Sequence, residues 1–398
     1  MKSIREIYKV GRGPSSSHTM GPERACNYFR SVTPDADRYK VILYGSLAST
    51  GKGHRTDYAI ECTLAPYPVE IVFDHDSHDL PHANTMDFFA YKNGEVILEK
   101  RILSVGGGDI RVEGAPDVEK PEIYEKNSFK EISDYCKSRN IRLSDYVFEN
   151  EDSEFRHFLF EIWQVMKEEI QGGLTTGGYL PGGLNVQRVA QIIYNQRHID
   201  ERPETRENRI VCAYAFAASE QNADGQTVVT APTCGACAVV PSVLKYMQEK
   251  KNFSDEKIID ALAVGGLIGN LVKKNASISG AECGCQAEIG TACAMAAAAL
   301  AELFEMGIDQ IEYAAEVSLE HQLGLTCDPI CGLVQIPCIE RNAVAAMRAI
   351  NAVNLASFLW DTRKISFDRV VIAMRETGHD LSSPYKETAE GGLAKIEL

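Results

Sequence analysis

The hydrophobic pattern divides the chain into two parts, and this division limits the folds that the sequence can adopt. Before about residue 110, short β-rich runs alternate with turns, and one helix, about Gly21–Arg30, precedes them. A hairpin turn is predicted at Lys92-Asn93-Gly94. The predicted strands are Val41–Ser46, Tyr58–Leu64, Val69–Phe73, Met86–Tyr91 and Glu95–Ser104.

From about Ser128 onward, apolar residues recur at helical spacing, and the connections are rich in Gly, Pro, Thr and Cys. The sequence therefore predicts an α+β N-terminal domain (residues 1–112), a linker (113–150) and an all-α C-terminal domain (151–398), with function concentrated in the connections between its helices. The predicted helices are Phe155–Glu169, Arg206–Glu220, Val239–Gln248, Lys257–Lys273, Gly290–Glu305, Asp309–His321, Ile339–Leu359 and Ser366–Glu376.

The net charge of the chain and the character of its apolar segments restrict its expected partners and location. A formal net charge of −15 disfavours nucleic acid and an anionic membrane as main partners. The N-terminus has no apolar segment of the signal-peptide type, and the longest apolar runs are shorter than a bilayer span. We therefore expect a cytoplasmic protein that binds neither nucleic acid nor membrane.

The 12 cysteines are distributed unevenly along the chain. In a reducing compartment, metal, cluster or catalytic use explains them better than disulfide bonds do. Cys26, Cys62, Cys136 and Cys212 are scattered, as small core residues often are. The other eight are Cys234, Cys237, Cys283, Cys285, Cys293, Cys327, Cys331 and Cys338.

Three cysteine-bearing loops in the predicted helical half indicate a metal centre. They are 230–237, 277–293 and 326–338, each punctuated by Gly or Pro beside a helix end. A closed zinc site would need a second Cys-x-x-Cys or a nearby histidine, and an electron-carrying ferredoxin would need a tight run of four cysteines. Three ligands from separate loops suit a cluster that leaves one iron open for Lewis-acid catalysis.

Two polar segments of the N-terminal half add candidate functional groups. Residues 11–22 place three serines, a histidine and a threonine just before a helix, which is typical of an anion-binding turn. Residues 44–57 place Lys52 and His54 among glycines after a strand. Because glycine follows Lys52, the phosphate-loop spacing is not met, and a nucleoside triphosphate site is excluded.

The order of several uncommon motifs resembles that of the bacterial iron–sulfur-dependent L-serine dehydratases, with their β and α regions fused in one chain. The match runs from about Ile4 to the Gly-Gly-Leu-Ala near the C-terminus. The motifs are Gly-Pro-Ser-Ser-Ser-His-Thr, Gly-Lys-Gly-His, Thr-Ala-Pro-Thr, Asn-Ala-Ser-Ile-Ser-Gly-Ala-Glu, Thr-Cys-Asp-Pro and Pro-Cys-Ile-Glu-Arg-Asn-Ala.

The resemblance implies a four-iron four-sulfur cluster held by Cys285, Cys327 and Cys338. It also implies that L-serine is converted to pyruvate and ammonia, and that the N-terminal domain is of the allosteric substrate-binding type. We expect no pyridoxal phosphate, since no lysine lies in a motif typical of that cofactor. Water elimination needs a base for the α-proton, and the candidates are His18 and His54, between which the residues do not decide.

The remaining predicted site residues are polar groups of the same motifs. Those predicted to bind substrate or line its pocket are Ser15, Ser16, Ser17, Thr19, Asn275, Ser277, Ser279, Glu282, Arg341 and Asn342. Cys234, Cys283 and Cys331 stand where the family often has other residues. No cysteine follows Cys338, whereas some relatives end on one that caps the fourth iron. Here that iron is either open or capped by one of the extra thiols.

Two other functions remain open at this stage. A cysteine desulfidase would use the same cluster to expel sulfide. A non-enzymatic iron–sulfur or zinc sensor would need an effector or nucleic-acid-binding segment, and the acidic sequence offers none. For the enzyme, we expect a small amino-acid substrate and a homodimer.

Overall fold

A computed structural model describes residues 1–114, 121–197 and 201–396. The N-terminal part combines a sheet with short helices, and the C-terminal part is mainly helical, as predicted. The strands are β1 Val10–Arg12, β2 Arg38–Tyr44, β3 Val69–Asp74, β4 Thr85–Lys92, β5 Glu95–Ser104, β6 Ile110–Val112 and β7 Thr227–Val229. The helices of the N-terminal part are α1 Gly21–Val32, α2 Ser46–Thr50 and α3 Thr56–Leu64.

The helices that follow the sheet fill most of the rest of the chain. The predicted helices listed above are confirmed within a few residues at each end. The bounds are α4 Phe129–Arg139, α5 Leu143–Asn150, α6 Phe155–Thr175, α7 Ala190–Asn195, α8 Pro203–Ala223, α9 Val239–Lys251, α10 Asp255–Asn275, α11 Gly280–Cys283, α12 Thr291–Leu303, α13 Ile308–Glu320, α14 Cys338–Leu359 and α15 Phe367–Asp380.

The N-terminal sheet has five strands in the order β3-β2-β4-β5-β6. The pair β2–β3 is parallel, and the other neighbours are antiparallel. The predicted turn between β4 and β5 is confirmed, since Asn93 and Gly94 have φ values of 51° and 88°, as a two-residue hairpin turn with positive φ requires. A separate core joins this sheet to α1 and α3.

One predicted strand, Tyr58–Leu64, is wrong, because this segment lies in helix α3. The buried residues of α3 are Thr56, Ala59, Ile60 and Leu64, a spacing of three to four that places them on one face of a helix. Short runs of β-branched and aromatic residues favour a strand by propensity. Packing of this face against α1 determines the outcome instead.

The first residues of the chain pack into the helical part, although the prediction assigned them to the α+β domain. Met1, Ile4, Ile7 and Tyr8 are buried in the helical core, and the Tyr8 hydroxyl donates to the carbonyl of Leu262 at 2.9 Å. Strand β1 pairs with β7, so the C-terminal part is not all-α as predicted. This pairing holds the segment that follows β1 against the helical part.

The interval 113–150, predicted as a linker, contains α4 and α5 in its second half. Helix α4 begins at a capping box in which Ser128 and Glu131 exchange hydrogen bonds with each other's backbone N–H groups. Residues 115–120 lie outside the described residues. The proposed domain boundaries therefore stay a prediction.

Within the described ranges, one helical stretch, Cys338–Thr362, is long and apolar enough to cross a membrane. In this stretch, 44% of the most apolar window is buried inside the protein. Its main helix, α14, packs against α8, α9, α12 and α13. Packing between helices therefore accounts for part of the apolar surface of this stretch.

Candidate active site

His18 lies on a five-residue π-helical turn, Ser16–Met20, directly before α1. The turn is capped by Ser15, whose hydroxyl accepts a hydrogen bond from the His18 backbone N–H at 3.1 Å. Both imidazole nitrogens are engaged, Nδ1 with the Ser17 hydroxyl at 2.8 Å and Nε2 with the Ser46 hydroxyl at 3.0 Å. The side chain is completely buried. The structure therefore fixes this ring on both sides.

His54 lies beside His18, with 4.5 Å between the ring centroids. Its Nδ1 is 3.1 Å from the carbonyl oxygen of Thr50. Because a carbonyl only accepts, this contact places the ring proton on Nδ1 and leaves the lone pair on Nε2. The Thr19 hydroxyl donates to the His54 carbonyl at 2.8 Å, which connects the two histidine-bearing loops.

Both imidazoles are held neutral by their surroundings. Burial lowers the pKa of His54 to about 4 and lowers the pKa of His18 well below its usual value. For His18, a positive charge on the neighbouring His54 would act in the same direction. At neutral pH, His54 therefore presents an unprotonated Nε2, which is the form that a general base requires.

Glu387 is the functional candidate that sequence reasoning missed. Its Oε1 lies 3.6 Å from Nδ1 of His18 and 3.8 Å from Nε2 of His54. Burial raises the pKa of its carboxyl well above the usual value. No local spacing in the sequence links a residue near the C-terminus to histidines more than 300 positions away, so only the fold could reveal this group.

The backbone of the C-terminal segment is fixed against the cysteine loops. The Cys327 N–H donates to the Tyr385 carbonyl at 2.9 Å, and the Glu387 N–H donates to the Cys327 carbonyl at 2.9 Å. The Ser46 hydroxyl donates to the Glu387 carbonyl at 2.8 Å. The segment thus joins the N-terminal histidine loops to the cysteine-bearing half.

The three predicted cluster ligands come together in the helical half. Cys285 follows α11, Cys327 lies in the loop after α13, and Cys338 is the first residue of α14. Cys285 contacts Cys327, and this contact, aided by the charge of Arg341, lowers the pKa of Cys285. Cys338 is close enough to Cys285 to interact with it electrostatically, and burial raises the pKa of Cys338.

The surroundings of these thiols fit an iron–sulfur cluster. Gly280 packs directly against the Cys327 sulfur and a Glu288 oxygen, since a Cβ at this position would lie 3.3 Å from the first and 2.6 Å from the second. Three soft thiolates match the ligand preference of iron in such clusters. A structural zinc site would require a fourth protein ligand.

The other cysteines of the predicted loops make different contacts among the described residues. The Cys234 thiol contacts the Met20 sulfur at 3.4 Å, and the Cys293 thiol points at the Ala345 carbonyl at 3.3 Å. Cys331 is exposed, and Cys283 packs where a Cβ on Gly378 would be 2.6 Å from its sulfur. Cys237 is buried beside Cys234.

Arg341 and Asn342, predicted to bind substrate, both support the cysteine loops. Arg341 donates to the Thr326 carbonyl at 2.6 Å and to Asp328 at 3.0 Å. The Asn342 amide donates to the carbonyls of Gly235 at 2.8 Å and Cys338 at 2.9 Å. Arg341 thus links α14 to the Cys327 loop, and Asn342 links α14 to the loop that carries Cys234.

The segment 275–282 borders Glu387, whose carboxyl accepts a hydrogen bond from the Ala281 N–H. The side chains predicted to bind substrate there have the following partners. Ser277 donates to the Glu282 carboxylate, and the Ser279 N–H donates to the Ser277 hydroxyl at 3.0 Å. Glu282 faces His82 of the N-terminal part at 3.6 Å. Asn275 donates to the Asn127 and Leu271 carbonyls. None of these described side-chain contacts reaches His18 or His54 directly, and the segment approaches them through Glu387.

Sequence comparisons agree with the arrangement of the site. The family model "Serine dehydratase alpha chain" matches residues 99–394, and "Serine dehydratase beta chain" matches residues 3–69. The chain belongs to the serine dehydratase family. This confirms the resemblance that the motifs indicated.

Curated members of the serine dehydratase family match over nearly the whole chain. The L-serine dehydratase of Streptomyces coelicolor is 39% identical, with 98% of each chain covered. L-serine dehydratase TdcG of Escherichia coli is 40% identical, with 99% of each covered. Because the Streptomyces alignment spans 446 positions and this chain has 398 residues, part of that relative has no counterpart here.

The two serine dehydratase regions divide the site between them. His18 and His54 lie in the beta-chain match, whereas the three converging cysteines and Glu387 lie in the alpha-chain match. The contacts of Glu387 with both histidines therefore cross from one family region to the other. A single chain brings together groups that the family distributes over two regions.

Proposed function

We propose that this protein is an iron–sulfur-dependent L-serine ammonia-lyase that converts L-serine to pyruvate and ammonia. The observation that carries the proposal is the position of Glu387. Its carboxyl faces both imidazoles, and it interacts electrostatically with Cys285. A candidate base and a candidate cluster site therefore adjoin the same buried carboxyl, and elimination of water from a small substrate requires such groups close together.

The residues that would hold a four-iron four-sulfur cluster are Cys285, Cys327 and Cys338. When bound, such a cluster supplies a Lewis-acidic iron that assists departure of the serine hydroxyl. Arg341 and Asp328 keep the Cys327 loop in place, because they form an ion pair at 3.0 Å and Asp328 also accepts the Leu393 N–H at 2.9 Å. The same contacts hold the segment that carries Glu387.

We assign the base to His54. Its Nε2 carries the free lone pair, and its Nδ1 proton is fixed by the Thr50 carbonyl, so the ring is oriented before substrate binds. His18 has both ring nitrogens engaged by serine hydroxyls, so we give it the role of a positioning residue beside His54. The proton taken from the α-carbon of serine would then rest on Nε2 of His54, close to Glu387.

The substrate carboxylate and ammonium need polar partners near the histidines. Ser15, Ser16, Ser17 and Thr19 are buried on the turn that carries His18, so they remain our candidates. Glu282 faces His82 of the N-terminal part, and Asn275 binds carbonyls of the helical part, so we assign these side chains to holding the segment that borders Glu387. Arg341 and Asn342 serve the cluster loops.

The test is an assay of anaerobically purified protein with L-serine, L-threonine and L-cysteine, with ammonia measured for each. We expect L-serine to give pyruvate and ammonia in equal amounts with the highest kcat/KM. Release of sulfide from L-cysteine in preference to serine turnover would instead identify a desulfidase. Hydroxylamine treatment followed by gel filtration removes pyridoxal phosphate. Unchanged activity after this treatment would support the expectation that the enzyme does not use that cofactor.

Assembly as a homodimer and a cytoplasmic location stay predictions. The same holds for the proposed lack of nucleic-acid and membrane partners, which rests on the net charge of −15. The proposed N-terminal domain of the allosteric substrate-binding type, residues 1–112, is likewise a prediction from the resemblance.

A further inference from the structure

A cavity of about 530 Å³ lies between α1, α3 and the turn that follows α8. One wall consists of Glu23, Asn27 and Arg30, whose spacing of four and three residues places them on one face of α1. Arg12 from β1 and Arg55 from the loop before α3 contribute the rest of its charged lining. The cavity is separate from the converging cysteines.

The lining of this cavity is positively charged, although the whole chain is acidic. It contains three guanidinium groups and a single carboxylate, that of Glu23, against a net charge of −15 for the protein. Arg30 and Arg55 donate to the neutral carbonyls of Thr63 at 2.9 Å and Asp224 at 3.1 Å. In the described part of the chain, the Arg12 guanidinium forms neither a hydrogen bond nor an ion pair.

This combination of charge and size defines the class of ligand. A guanidinium group matches carboxylate and phosphate oxygens in a two-pronged geometry. The volume is within the range of small-molecule sites and exceeds what one inorganic phosphate fills. We propose that this cavity is an effector site for a small organic anion with at least two carboxylate or phosphate groups.

The cavity is connected to the histidine loops by two of its own residues. Thr19 lines the cavity, and its hydroxyl donates to the carbonyl of His54 at 2.8 Å. Arg55 follows His54 directly and reaches the turn after α8, where a Cβ on Gly225 would be 3.0 Å from its Nη1. A ligand that draws Arg55 toward the cavity therefore acts on the backbone of His54, and we expect it to change the turnover of serine.

The binding test uses anaerobically purified holoenzyme and follows its thermal unfolding with succinate or inorganic phosphate at constant ionic strength. We expect a saturable rise in Tm with succinate. Arg12→Gln and Arg30→Gln should each weaken the apparent affinity by roughly tenfold or more, as expected for loss of a charge-assisted hydrogen bond. Arg12→Gln is the cleaner variant, since its guanidinium has no hydrogen bond or ion pair to lose among the described residues.

The matched control is Arg38→Gln, which removes an exposed guanidinium that stacks on Tyr91 in the same part of the chain. Its affinity for succinate should equal that of the unaltered protein. A phosphate response with the same dependence on Arg12 and Arg30 would support the site and indicate a phosphate-bearing ligand. The proposal would be overturned by equal shifts in Tm in the unaltered protein, Arg12→Gln, Arg30→Gln and Arg38→Gln. It would also be overturned if neither succinate nor phosphate changed the Tm.

A second readout tests the connection to His54. Serine turnover measured with increasing succinate should change in the unaltered protein and in Arg38→Gln, and should stay constant in Arg12→Gln. Binding that leaves both kcat and KM for serine unchanged would overturn the effector role. Because the binding readout needs no turnover, it can fail or succeed independently of the proposed lyase activity.

Discussion

Nδ1 of His54 lies 3.1 Å from the carbonyl oxygen of Thr50, and this contact determines which nitrogen of the ring can accept a proton. The same ring is 4.5 Å from that of His18, whose two nitrogens are both engaged by serine hydroxyls. The sequence left these histidines interchangeable. Their hydrogen-bond partners give them different roles.

His54→Ala is expected to retain the cluster and to lose about a hundred- to ten-thousand-fold in kcat, the usual contribution of general acid–base assistance. The control is His321→Ala, because His321 also contacts a carbonyl four residues earlier but is exposed. Steady-state kinetics and iron content check both variants. A near-normal kcat in His54→Ala would show that another group is the base.

The pH dependence of kcat/KM should reflect the lowered pKa of His54, about 4. Because the imidazole is already unprotonated above this value, its contribution should stay constant from pH 8 down to pH 6. A base with the ordinary histidine pKa of about 6.5 would lose roughly tenfold in rate by pH 5.5. Values of kcat/KM measured between pH 5.5 and 8, where the protein stays folded, distinguish a base with the lowered pKa from one with the ordinary pKa.

Glu169→Gln is expected to stabilise the protein at alkaline pH. The Glu169 carboxyl is buried in α6, and only one of its oxygens has a partner among the described residues, the Val229 N–H at 2.9 Å. Burial raises the pKa of this carboxyl well above its usual value. The folded state therefore holds the proton more tightly, and stability falls as pH rises above about 4.5.

Glutamine stays neutral and avoids this loss of stability. The gain in the free energy of unfolding should therefore be small near pH 5 and larger at pH 8. At a pH below the raised pKa, the gain in stability amounts to about 1.4 kcal/mol for each pH unit above about 4.5. Urea unfolding at the two pH values measures it. The control is Glu168→Gln at the exposed neighbouring position, and a gain of the same size in that variant would contradict the explanation.

The sequence predicted most helices correctly because apolar residues at helical spacing persist over several turns, as in α10 and α14. It failed at α3, where strand propensity competed with packing against α1. The pairing of β1 with β7 also escaped prediction. Two strands of three residues each, separated by more than 200 positions, leave no local pattern.

In the candidate site, too, local sequence patterns could be recognised and contacts between distant segments could not. Cysteines in Gly- and Pro-rich loops and histidines in unusual polar motifs could be identified one by one. Glu387 could not, since its role depends on the contact between the C-terminal segment and the Cys327 loop. The support that Arg341 and Asn342 give to the cysteine loops is likewise a property of the fold.

The most direct test of the central claim compares Cys327→Ser with Cys136→Ser, both purified without oxygen. Iron content and pyruvate formation from L-serine are measured for each. Cys136 is buried in α4, outside the three cysteine-bearing loops, so this variant should keep about four irons per chain and its activity. Cys327→Ser should lose both, because a serine hydroxyl is a poor ligand for iron. Full iron content and normal pyruvate formation in Cys327→Ser would contradict the account.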